Sequence, residues 1–244
     1  MNNSQYMSGT GNNFLIGEYT GDKTEIEILS IVADSMFDID GIIFIEKINK
    51  HTVKMHYFNS DGSTAEICVN GIRCVAKYSF DNNLIKSKKI TVVAPIGEIE
   101  TIVEDDIVSL EIKLPIYDKN KVIIENHECI IANIGNPHLL IEVSNIEEFN
   151  LDEFAEKVEK SGVLEGKANI EIYTVIDNKF INARVHERGV GETDACGSGA
   201  ICMFYYLFDT NKIGKKSIVL YPGGDLEMSI IDNKIQLKGE VTYL

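Results

Sequence analysis

Basic residues are scarce in this chain. Lysine and arginine total 23 of 244 residues against 38 aspartates and glutamates, a formal net charge of −15. Binding to phosphate backbones or anionic lipid needs concentrated Lys and Arg, so nucleic acid and membrane surfaces are excluded as partners. An anionic substrate would have to be held by local groups against the overall field. Long apolar runs are also missing: nothing approaches the ~18 consecutive residues that a membrane-spanning helix needs. The start, Met1-Asn2-Asn3-Ser4-Gln5, lacks the basic segment and apolar core of a secretory signal, which leaves a cytoplasmic protein as the expectation. Five cysteines are an odd number and suggest no secreted disulfide framework. The six-residue spacings Cys68 to Cys74 and Cys196 to Cys202 match no common zinc pair, so no metal is expected.

What is present is an ordinary globular composition, 44% hydrophobic and 25% charged. One stretch stands apart: Glu187-Arg188-Gly189-Val190-Gly191-Glu192-Thr193-Asp194-Ala195-Cys196-Gly197-Ser198-Gly199-Ala200. Small residues here let a ligand approach the backbone closely. The helix that follows directs unpaired N–H groups back toward the cysteine. A thiol at such a helix start has its thiolate stabilised by the positive end of the dipole.

The arrangement occurs twice. Cys68-Val69-Asn70-Gly71-Ile72-Arg73-Cys74 matches Cys196 through Cys202 in pattern, 128 residues apart. Gly11-Asn12 recurs as Gly135-Asn136 after 124 residues, and a helix-start signal at Thr24 recurs at Asn150 after 126. Three landmarks at nearly one offset argue for two copies of one unit. Pro115 marks the boundary, giving residues 1–116 and 117–238, with residues 239–244 a candidate to complete the first half. Each unit reads as mostly antiparallel sheet with about two helices, an α+β fold. Thr24 with Glu27 forms a capping box. Asn150 with Glu153 starts a second helix, which Gly162 ends.

Two cysteines in equivalent sites of pseudo-symmetric halves suit one reaction. A thiolate on one face of a carbon removes its proton while a thiol on the other face returns one, so the stereocentre inverts. The carbanion's charge spreads onto a neighbouring carboxylate, which the converging N–H groups hold. No cofactor is required. Cys74, Cys129 and Cys202 are read instead as small buried hydrophobes.

These motifs resemble the diaminopimelate epimerase family. The resemblance runs through nearly the whole chain: Gly9-Thr10-Gly11-Asn12-Asn13-Phe14, Phe58-Asn59-Ser60-Asp61-Gly62-Ser63, Cys68 to Cys74, Gly135-Asn136-Pro137-His138, Ala168-Asn169-Ile170 and Glu187 to Ala200. It implies two similar pseudo-symmetric domains, each a β-barrel-like sheet around a central helix, with the active site in the cleft between them. It implies interconversion of LL- and meso-diaminopimelate, in lysine and peptidoglycan precursor biosynthesis. Cys68 and Cys196 would be the catalytic acid–base pair. The backbone N–H groups of Val69, Asn70, Gly197 and Ser198 would hold the reacting carboxylate. Asn12, Asn59, Asn136, Asn169, Glu187 and Arg188 would line the substrate site, and His138 and Glu187 would tune the cysteines. A homodimer is implied as well, although the family's dimer contacts extend past the point where this sequence stops.

Several residues depart from the family pattern. Val69 replaces a usual glycine, and a β-branched side chain there would resist any positive φ. Ser8, Asn13 and His186 replace a histidine, an aspartate and a tyrosine. Two other readings stay open on the residues: a racemase of the same fold acting on another amino acid, and a non-catalytic cysteine protein that binds metal or senses oxidation.

Overall fold

The computed structural model describes residues 3–64, 67–166 and 168–244. The chain divides into two compact units, Met1–Ile112 with Lys238–Leu244, and Lys113–Leu237. Four α-helices are present among the described residues: α1 (Glu25–Ala33) and α2 (Val69–Asp81) in the first unit, α3 (Leu151–Ser161) and α4 (Gly197–Asp209) in the second. Among the described residues, no helix is long and apolar enough to cross a membrane.

In the first unit the strand Asn12–Glu18 runs antiparallel to Gln5–Gly9 and parallel to Gly41–Lys47. The sheet continues through Thr52–Asn59, Lys89–Ala94, Gly97–Glu104 and Ile107–Lys113. The last strand of the chain, Lys234–Tyr243, pairs with both Ile107–Lys113 and Gln5–Gly9, so the strands close on themselves. Closure removes the exposed edges that an open sheet would carry.

Helix α2 is the centre of this unit. It packs on Gln5–Gly9, Lys89–Ala94 and Gly97–Glu104, and every residue from Val69 to Ser79 is buried. The sequence predicts a one-sided apolar face at Ile72, Val75, Ala76 and Phe80. The structure differs: Arg73, Cys74, Lys77 and Tyr78 are buried too, and Phe80 is only half-buried. A helix surrounded by sheet has no solvent face, so its polar residues must find partners inside.

The second unit repeats the succession of pairings. His127–Asn133 and Pro137–Glu142 are antiparallel, Pro137–Glu142 and Asn169–Val175 parallel, and Asn169–Val175 and Phe180–Glu187 antiparallel. Phe180–Glu187 is then parallel to Lys216–Tyr221, which is antiparallel to Gly224–Ile231. Helix α4 is buried nearly all round, with Met203, Tyr206 and Leu207 inside as well as the expected Ile201 and Phe204; Tyr205 and Phe208 are only partly buried.

The two outer helices start as the sequence predicts. Thr24 accepts from the Glu27 N–H while Glu27 reaches back to Thr24, and Asn150 accepts from the Glu153 N–H. Gly162 closes α3 with φ of 71°, a conformation that suits glycine. Helix α1 is shorter than its apolar pattern suggests: it ends at Ala33, Ile28 is its one buried residue, and Leu29 and Met36 are exposed. Two strands extend beyond expectation. Gln5–Gly9 forms a hairpin with Asn12–Glu18 across Thr10-Gly11, both at positive φ, although Ser8-Gly9-Thr10-Gly11-Asn12 has the composition of a loop. The final strand continues past Leu237 to Tyr243.

Candidate active site

Cys196 is the N-cap of α4, in extended conformation at φ −129°, ψ 109°. Its Sγ accepts from the Gly199 N–H at 3.4 Å, takes a longer contact of 3.7 Å from Asn169 Nδ2, and lies 3.4 Å from Ser198 Oγ. Asn169 is itself fixed, because its Oδ1 accepts from the Arg188 N–H at 3.1 Å. Glu187 accepts from Thr193 Oγ1 at 2.7 Å. Residues from four separate strand and helix segments thus meet around one sulfur.

Beneath it lies a buried polar group that sequence reasoning missed. Glu171, fully buried on Asn169–Val175, lies 3.2 Å from His138 Nδ1 and accepts from the Tyr221 hydroxyl at 3.0 Å. His138 Nε2 is 3.0 Å from Asn136 Oδ1. Glu171 presses against the first turn of α4 so closely that a Cβ at Gly199 would sit 1.8 Å from its Oε1. Only glycine fits there. The signal in the sequence was a lone charge within Asn169-Ile170-Glu171-Ile172, a strand whose two faces are both buried.

Burial pushes the Cys196 thiol well above its ordinary value, and Glu171 and Glu187 add to this, outweighing the Ser198 and Gly199 donors. The helix-start donors favour the thiolate at this cysteine as expected, but they are outweighed. The N–H dipoles are present, but desolvation and two nearby carboxylates are the stronger effect.

Cys68 has the same backbone setting. It N-caps α2 at φ −137°, ψ 93°, and its Sγ accepts from the Gly71 N–H at 3.3 Å. Its surroundings differ. Asn70 donates to Asn12 Oδ1 at 2.6 Å and accepts from Arg73 Nη2 at 2.8 Å. Arg73, fully buried, also donates to Thr10 Oγ1 and to the Glu240 carbonyl, each at 2.8 Å. Arg73 and Thr10 were not singled out in the sequence, although an arginine amid Ile72, Cys74, Val75 and Ala76 on a helix was the available cue.

Val69 is the first residue of α2, outside the positive-φ residues, and its side chain is buried. The backbone strain anticipated at this position does not arise. The N–H groups of Val69 and Asn70, like those of Gly197 and Ser198, occupy the first helical turn, where no intrahelical acceptor exists. Asn59 ends its strand and is tied to Ser63 by its side chain at 2.9 Å. Cys74, Cys129 and Cys202 are buried thiols; burial raises Cys74 to about 12 and Cys129 to about 11. His138, Glu171 and Cys196 offer ligand-type atoms within 4.8 Å of one another. Both ring nitrogens of His138 already face hydrogen-bond partners, which leaves the imidazole poorly disposed to ligate a cation.

Comparison with solved structures defines the class of fold. A phenazine biosynthesis protein of the PhzF family from Enterococcus faecalis is similar, with a TM-score of 0.77 at 12% identity, covering 99% of this chain and 96% of that one. A hydroxyproline epimerase from Agrobacterium vitis gives a TM-score of 0.71 at 10% identity, covering 99% and 88%. Sequence comparison is more specific. A diaminopimelate epimerase from Methanococcus maripaludis (strain C6) is 34% identical, covering 97% of this chain and 95% of its own. One from Thermotoga maritima is 33% identical, covering 96% of each chain. The diaminopimelate epimerase family profile matches residues 6–113 and 130–244, and the chain belongs to that family.

Proposed function

We propose that this protein is a cofactor-independent isomerase that interconverts LL- and meso-diaminopimelate, with Cys68 and Cys196 as its acid–base pair. The observation that carries the reading is the duplicated cysteine cap. Two cysteines of matching φ and ψ begin two buried helices of 13 residues, each sulfur taking the N–H three residues on. In the proposed reaction a thiolate takes the Cα proton and the C–H electron pair moves into the carboxylate. A thiol then returns a proton to the opposite face, leaving the stereocentre inverted and the two sulfurs with exchanged protonation. The first-turn N–H groups of Val69, Asn70, Gly197 and Ser198 hold the carboxylate as its charge grows. Asn12, Asn59, Asn136, Asn169, Glu187 and Arg188 line the substrate site, and Arg188 suits a distal carboxylate by bidentate pairing. His138 and Glu187 act on the sulfur of Cys196. The reading places the enzyme in the cytoplasm, as a homodimer, in lysine and peptidoglycan precursor synthesis.

The test is solvent deuterium incorporation at Cα under reducing conditions, with LL-diaminopimelate beside a panel of single amino acids. Exchange confined to diaminopimelate is expected. Exchange confined to another amino acid would transfer the function to a racemase, and no exchange at all would refute the enzyme reading.

A further inference from the structure

The two central helices end in matching residues with different surroundings. Tyr206 stands ten residues after Cys196, as Tyr78 stands ten after Cys68. Strand register equates Glu142 with Glu18, since each closes a parallel ladder, opposite Tyr173 and Ile45 respectively. In the first unit one residue satisfies both. The Asn3 carbonyl accepts from the Tyr78 hydroxyl at 2.6 Å, and Asn3 Nδ2 donates to Glu18 at 3.3 Å. In the second unit the register counterpart of Asn3 is Glu128, which pairs with Lys121 instead. Tyr206 and Glu142 there line a cavity of about 320 Å³, a volume at the low end of the range for small-molecule sites.

Tyr173 adds a hydroxyl to this cavity where the first unit has the methyl groups of Ile45. Tyr173 and Tyr206 are only 2% and 7% exposed, and among the described residues neither hydroxyl has a hydrogen-bond partner. Buried hydroxyls are normally partnered, so two that share one cavity point to a ligand. Burial raises the Tyr173 hydroxyl, with Glu142 and Tyr206 adding to it, so it stays a neutral donor. The charges of the lining balance: Lys212 pairs with Glu142 and Lys121 with Glu128. A net anion or a net cation therefore finds no uncompensated partner. Lys212 takes Glu142 Oε2, which leaves the carboxylate a second oxygen. The contacts of Asn3 show what the matching pair accepts, an oxygen for the tyrosine and an N–H for the glutamate, a few bonds apart. A free α-amino acid supplies both as carboxylate and ammonium, and makes both hydrogen bonds charge-assisted.

We propose that this cavity is a binding site for a free α-amino acid, with the ligand's ammonium on Glu142 and its carboxylate on the hydroxyls of Tyr206 and Tyr173. Ten residues of helix, about 15 Å, separate Tyr206 from Cys196. The site is thus a second one, at the opposite end of α4 from the thiol, and it does not depend on the reaction proposed for the cysteines.

The test is calorimetric titration of the reduced full chain with the standard L-amino acids up to millimolar concentration, beside their N-acetyl and amide derivatives. At least one free amino acid is expected to bind, and its blocked derivatives to bind about tenfold more weakly or not at all. Tyr206→Phe and Tyr173→Phe each delete only a hydroxyl, and Glu142→Gln only a charge; each should weaken binding about tenfold. Arg188→Ala, in the proposed substrate site, should leave the affinity within about twofold. No binding by any free amino acid overturns the proposal, as does equal binding of the blocked derivatives. Binding that Arg188→Ala abolishes and Glu142→Gln spares belongs to the catalytic site and overturns it too. Glu142 is exposed, so Glu142→Gln decides should a tyrosine variant fail to fold. Binding with these dependences but no deuterium exchange would support this site and refute the two-thiol reading. Exchange without binding would do the reverse.

Discussion

The two units carry the same fold with their buried polarity exchanged. Strand register equates Phe14 with His138, because each begins a parallel pairing, with Gly41 and Asn169 respectively. The same register sets Ile43 opposite Ile16 where Glu171 lies opposite Leu140, and Ala94 opposite Gly97 where Tyr221 lies opposite Gly224. The sheet beneath Cys196 is therefore polar at three positions that are apolar beneath Cys68. The helices reverse this. Asn70 and Arg73 on α2 correspond to Ser198 and Ile201 on α4. Backbone geometry was held constant across the repeat while the charge under each sulfur diverged. An inversion needs that combination, since the two groups must reach similar positions in opposite protonation states.

The comparison can be broken most decisively at the sulfurs. Cys68→Ala and Cys196→Ala should each lower inversion by about 10²–10⁴-fold or more while circular dichroism and cooperative melting stay near wild type. A fast variant of either kind would end the claim of equivalence. The matched glycines come next. Added methyls at Gly71 would meet the mobile ends of Met55 and Ile43 at 2.9 and 3.0 Å, whereas at Gly199 one would meet the pinned carboxylate of Glu171 at 1.8 Å. Gly71→Ala should cost about 1 kcal/mol in urea titrations and Gly199→Ala about 3 kcal/mol or more. Equal costs would show that Glu171 is not held in place. Tyr221→Phe removes one hydrogen bond to Glu171 and should cost about 1–2 kcal/mol by the same measurement, a loss with no counterpart at Ala94. The smallest effect is expected where the repeat has not diverged. Thr24→Ala and Asn150→Ala each remove an N-cap and should lower stability by similar amounts, about 1 kcal/mol.

Much of this was legible in the sequence. The N-caps at Thr24 and Asn150, the glycine end of α3 and the paired cysteine helix starts follow from local chemistry, which a sequence displays directly. The buried charges were harder. Arg73 lies on a helix that periodicity treats as one-sided, yet sheet encloses it, so its guanidinium turns inward to Thr10 and Glu240, residues distant along the chain. Glu171 reads as an ordinary strand residue until its side-chain contact with His138 and its closeness to Gly199 are known. The extension of the last strand to Tyr243 was hidden for a related reason. Lys238-Gly239-Glu240 looks polar and turn-like, but the strand runs on through it to Val241, Thr242 and Tyr243, whose partners Gly9, Ser8 and Met7 lie at the other end of the chain.

The central claim is that two different groups handle the proton on opposite faces of one carbon. It is tested most directly by following early turnover of LL-diaminopimelate in deuterated water. If two thiols act, the inverted product carries deuterium at the reacting Cα while the recovered starting isomer stays unlabelled. Equal labelling of recovered substrate and product would mean that one group serves both faces, and would contradict the account.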